Sequence, residues 1–126
     1  MNTHELDECP LSPNCVSTLT QQKSKLMAPL LVPPSITTSA CIEKIKQVVQ
    51  QVPRTQLLKE RENYLHFTFK SLIFRFVDDV EFLLDTNTRE LHFRSASRVG
   101  HSDLGANKKR MQRLLEDLAT SFLGQD

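Results

Sequence analysis

The sequence predicts an α+β fold: a two-layer sandwich in which a four-stranded antiparallel meander is flanked by an N-terminal and a C-terminal helix, after an extended N-terminal arm. Three observations carry this: apolar residues at helical spacing over 37–51, strand-like alternation in segments between 55 and 96, and a second helical stripe ending near 122.

With 126 residues there is room for one core and one site, divided as an arm over 1–34 and a single α+β domain over 35–126. The arm carries Pro10, Pro13, Pro29, Pro33 and Pro34 and shows neither helical nor strand periodicity. In the first helix Cys41, Ile45, Val48, Val49 and Val52 recur at helical spacing, opposite Glu43, Lys44, Lys46 and Gln47. Ser35, Thr37 and Thr38 are its candidate caps, and Pro53 stops it.

Strands are expected at Thr55–Arg61, Tyr64–Lys70, Phe74–Leu84 and Glu90–Ala96, joined by linkers too short for parallel crossovers. The last helix is expected from Ser102 or Asp103 to Phe122, with Leu104, Met111, Leu114, Leu115, Leu118 and Phe122 as its stripe and Gly124 past its end.

Charge and composition narrow the function classes. The 16 Lys and Arg against 15 Asp and Glu leave a formal charge of +1, which argues against the basic footprint of a nucleic-acid binder. No run approaches the ~18 apolar residues of a membrane span. The opening MNTHELDECP lacks the regions of a signal peptide, so a cytoplasmic location is expected. Three cysteines exclude a fully paired framework. Cys41 reads as a buried apolar residue. For Cys9 and Cys15 a disulfide, a reduced turn and, more weakly, zinc ligation with His4 are all open. The edge at Thr55–Arg61 leaves dimerisation open.

The candidate chemistry lies in the hairpin 74–96. If 85–90 is its loop, Phe82 stands opposite Phe93, Val80 opposite Ser95, Glu81 opposite Arg94 and Asp78 opposite Ser97. Phe82, Leu84, Leu91 and Phe93 then face the core, and that face ends in Asp78, Ser95 and Ser97. A carboxylate there needs a cation or a bulge that turns it outward. Arg98, Lys108, Lys109, Arg110 and Arg113 supply cations, several of them in the first half of the last helix, where the backbone dipole disfavours positive charge.

One reading of this pattern is a buried polar network. A second is a non-enzymatic binding site, built from Asp78, Arg94, Ser95, Ser97, Arg98, Asp103, Asn107 and Arg110, for a small anionic ligand or an acidic protein partner. In that reading Arg94 and Arg98 grip the anion and Asp78 orients Arg98. A third is a hydrolase or lyase acting on an anionic substrate, with Asp78 or His101 as general base. No metal or cofactor is expected: the alternation of Asp78, Asp79 and Glu81 keeps them from reaching one ion.

The blocks CPLSPNCVS at 9–17, FRFVDDVEF at 74–82 and RSASRVGHSDLGANKKR at 94–110 resemble, in order, those of the domain-of-unknown-function family numbered 1499. The resemblance implies bacterial or plastid-type relatives, some with membrane or export segments, and carries no accepted activity. His101 stands where the family pattern leads one to expect an aromatic.

Overall fold

In the computed structural model, which describes residues 6–73, 75–99 and 105–124, the first helix, α1 (Thr38–Gln50), is capped by Thr37, whose hydroxyl accepts the Ala40 N–H at 3.1 Å. Cys41, Ile42, Ile45 and Val49 form its buried face. The other helix, α2 (Ala106–Leu123), buries Met111, Leu114, Leu118 and Phe122. Its start is later than expected. Gly105, at φ +81°, stands at the N-cap, a left-handed backbone that a side chain would strain. Ser102, Asp103 and Leu104 lie outside the described residues.

The strands β3 (Thr55–Arg61), β4 (Tyr64–Lys70), β5 (Val77–Leu84) and β6 (Glu90–Ser97) lie side by side and antiparallel in chain order. Strand β5 begins later than its alternation suggested; Phe74 lies outside the described residues. The β5–β6 register is pair for pair the expected one, from Asp78 opposite Ser97 to Leu84 opposite Leu91. The reason is energetic. A slip of one residue would turn Phe82, Leu84, Leu91 and Phe93, each at most 2% exposed, away from the core. The turn is held by Asp85, whose Oδ1 accepts the Asn87 and Thr88 N–H groups at 2.9 and 3.2 Å. Those bonds hold its carboxyl below the ordinary range.

The sheet is larger than the expected four-stranded meander: among the described residues two further strands extend it to six. The arm is not wholly extended and free. Its β1 (Cys15–Ser17) and β2 (Leu30–Leu31) both pair antiparallel with β6, at Arg94–Ala96 and at Glu90–Leu91. Strands of three and two residues hold too little alternation to be read from sequence.

Both helices cover one face of the sheet, where Leu65, Phe67, Phe69, Val80, Phe82, Leu84, Leu91 and Phe93 join their apolar stripes in one core. Phe67 and Phe82 meet edge to face at 6.2 Å. Burial pushes the Cys41 thiol up to about 11 despite the nearby Arg89, so it packs as an uncharged core residue. The arm crosses the opposite face. Leu6 packs with Tyr64 and Leu83, and the Cys9–Cys15 disulfide packs with Ala96.

Candidate functional site

Strand alternation divides the expected site residues between the two faces of the sheet. Asp78, Ser95 and Ser97 lie on the helix-covered face, and α2 brings Asn107 and Arg110 down onto them. Arg110 Nη1 reaches Asp78 Oδ2 at 2.7 Å, Asn107 Oδ1 at 2.8 Å and Ser95 Oγ at 3.3 Å. The Ser95 hydroxyl donates to Asn107 Oδ1 at 2.5 Å. Asn107 Nδ2 donates to the Asn14 carbonyl at 3.2 Å and to Ser97 Oγ at 3.3 Å. Asn14, a residue the sequence reading passed over, also donates to the Val99 carbonyl. Asn14, Ser95 and Asn107 are each at most 1% exposed, so this node ties arm, sheet and helix together inside the core, where unmet polar groups would be costly.

Arg94 and Arg98 do not belong to that node, because they point from the opposite face. Arg98 grips Asp79 with Nε at 2.9 Å and Nη2 at 3.0 Å, and His66 Nε2 meets the same carboxylate at 2.8 Å. The expectation that Asp78 orients Arg98 is therefore corrected: Asp79 holds Arg98, and Asp78 holds Arg110. Arg94 stands 3.8 Å from Glu81, which also accepts the Tyr64 hydroxyl, and Arg94 Nη2 donates to the Glu8 carbonyl at 3.4 Å. Burial and then the Glu81 bond push the Tyr64 phenol well above its usual range, keeping it a neutral donor. His101 and Asp103 lie outside the described residues. Among the described residues no group of His, Cys, Asp and Glu is placed to hold a metal ion.

The Asp79 carboxyl has an acid-range consequence. Burial raises its pKa, but the bonds from Arg98 and His66 outweigh that and hold it below the ordinary carboxylate value. A depressed folded pKa stabilises above the unfolded value, near 3.9, and that contribution fades as pH falls through the folded value. Asp79→Asn is expected to cost about 1 kcal/mol at neutral pH, the half-exposed Arg98 keeping the loss small. Urea unfolding should show the gap between parent and variant closing as pH falls below the unfolded value; a gap independent of pH would mean the carboxylate charge contributes nothing.

The concave feature of this region is a cleft of about 260 Å³ beside the polar node. Its floor is apolar: Val52 and Pro53 after α1, Phe69 at the end of β4, and Leu114 on α2. Arg54, Lys70, Arg110 and Arg113 rim it, with Asp117 as the one carboxylate among its lining residues. Arg110 spans node and cleft, its guanidinium 5.0 Å above the Phe69 ring. Asp78 neutralises Arg110, whereas among the described residues Arg54, Lys70 and Arg113 form no ion pair. Arg54 sits at φ +61° and is tied to Lys70, which donates its N–H to the Arg54 carbonyl at 3.0 Å and accepts from Arg54 Nε at 3.1 Å. Pairing of Thr55 with Phe69 sets Arg54 beside Lys70, through a register shift between Leu57 and Lys59 that the sequence does not announce.

The fold and the site together define an α+β domain with a satisfied polar node inside the core and a cationic cleft at its edge. The chain belongs to the family described as Protein of unknown function (DUF1499), whose model matches residues 5–118. No curated protein and no solved structure matches it.

Proposed function

We propose that the protein is a binding domain whose cleft takes a small amphiphilic anion, an apolar body carrying a phosphate, sulfate or carboxylate head. The carrying observation is the excess of cations over carboxylates around an apolar floor, with Arg54, Lys70 and Arg113 unneutralised among the described residues. In this reading Arg110 is, among the described residues, the one sequence-expected ligand residue that touches the anion. Phe69 and Leu114 take the apolar body, while the Arg54 and Arg113 forks take the head. Asp78, Ser95 and Asn107 hold Arg110 in place, and Ser97 holds Asn107. Arg94 and Arg98 serve the far face.

Calorimetric titration with octyl phosphate, below its micelle threshold, tests this. The parent is expected to bind, Arg113→Glu to lose at least about tenfold in affinity, a difference of roughly 1.4 kcal/mol, and Arg98→Ala to bind like the parent. Equal binding by Arg113→Glu, or loss in Arg98→Ala, would place the anion elsewhere.

The Cys9–Cys15 disulfide supports a second proposal, about place. Paired cysteines persist where thiols are oxidised, so we propose an oxidising compartment in place of the cytoplasmic location expected from the sequence.

A further inference from the structure

Between β4 and β5 the chain leaves the sheet in a loop closed at its base. Ser71 donates its N–H to the Phe76 carbonyl at 2.9 Å, and its hydroxyl accepts the Phe76 N–H at 2.9 Å. Beyond that closure Leu72 is 63% exposed and Ile73 79%, with Phe76 39% exposed at the base. Arg75, at φ +61°, interrupts them with a cation. The sequence holds no acidic residue from Tyr64 to Val77, and Lys70 and Arg54 stand at the foot of the loop. The acids that follow in β5 are paired, Asp78 with Arg110 and Asp79 with Arg98, and Asp117 lines the cleft from α2.

We infer that this loop and the cleft beside it form a docking surface for an anionic lipid bilayer, with Leu72 and Ile73 entering the acyl boundary and Arg75, Lys70 and Arg54 contacting the headgroups. Charge complementarity selects this occupant. Exposed Leu72 and Ile73 with Arg75 in the same loop and Lys70 and Arg54 at its foot, and no carboxylate in the segment, match an interface whose surface is negative and whose interior is apolar. Each basic side chain held at such a surface strengthens partitioning about fivefold. No helix of the described residues is long and apolar enough to cross a membrane. Lys70 and Ser71 line the cleft as well as starting the loop, so docking brings the cleft mouth to headgroup level. The inference thus deepens the proposed function: the amphiphilic anion is a lipid, and the cleft meets it at the surface where it resides.

Sedimentation with vesicles tests this, using phosphatidylcholine alone and phosphatidylcholine doped with phosphatidylglycerol. The parent is expected to partition at least about tenfold more strongly onto the anionic vesicles. The double variant Leu72→Ser, Ile73→Ser should lose that partitioning while keeping its melting temperature, since both side chains are exposed, and should bind octyl phosphate as the parent does. Parent-like vesicle binding by this variant, or no preference for anionic lipid, would overturn the inference. So would failure to bind vesicles coupled with self-association that the double variant removes, which would make the loop a protein-binding face. Loop-dependent vesicle binding without octyl phosphate binding would uphold the docking surface while overturning the cleft as an anion site.

Discussion

Asp78→Ala is expected to lower the unfolding free energy by about 3 kcal/mol and the melting temperature by roughly 12 °C. The Asp78 carboxylate is 11% exposed and meets Arg110 at 2.7 Å. Its removal leaves a largely buried guanidinium that keeps only the neutral acceptors Asn107 Oδ1 and Ser95 Oγ and the face of Phe69. Stranding one charge of a buried pair costs more than the pair contributes, whereas removing both restores much of the loss. Asp78→Ala combined with Arg110→Met should therefore be more stable than Asp78→Ala alone. The same substitution frees Arg110 toward the cleft, so anion affinity should rise while stability falls. Denaturant unfolding and titration of one preparation read both quantities. A loss below about 1 kcal/mol would mean that water already screens the pair as it does at a surface.

How much of this was legible in the sequence depends on where burial imposes a pattern. Strands β3 and β4 keep the expected limits, Thr55–Arg61 and Tyr64–Lys70, and the β5–β6 pairing follows from the one register that buries its apolar face. The polar end of that face, Asp78 with Ser95 and Ser97, was legible for the same reason. The grouping of Arg94 and Arg98 with it was not sound. Neighbouring strand residues point to opposite faces, and the predicted pairing of Glu81 with Arg94 already placed that arginine on the far side. Pieces that owe their structure to a partner were invisible. The strand Cys15–Ser17 exists because β6 offers an edge, and Asn14 is buried because Asn107 donates to its carbonyl. The cleft brings Arg54, Lys70 and Arg113 together only once strand ends and helix meet.

Replacing both Cys9 and Cys15 by serine is expected to cost about 2 kcal/mol, the loop-closure contribution of a bridge between residues so close in sequence. The two cysteines are six apart, and both are buried against Ala96. The loss should concentrate in the arm. Gln22 Nε2 donates to the Cys9 carbonyl at 2.7 Å, and Lys25 Nζ to the Pro10 carbonyl at 2.5 Å, so loosening the bridge loosens the segment that carries Leu6 across Tyr64. Hydrogen exchange should therefore speed up at Cys15–Ser17 before it does in β4 or β5. Equal stability of the double serine variant, or of the parent under a reductant, would show that β1 pairing and the Asn14–Asn107 bond hold the arm unaided.

An amide chemical-shift titration of the parent with octyl phosphate reads the cleft directly. Saturable shifts are expected to centre on Val52, Arg54, Lys70, Ser71 and Leu114, the residues around the cleft, with Arg94, Arg98 and His66 on the opposite face unmoved. Shifts centred instead on the Arg98–Asp79–His66 cluster, or the absence of any saturable shift, would contradict anion binding in the cleft.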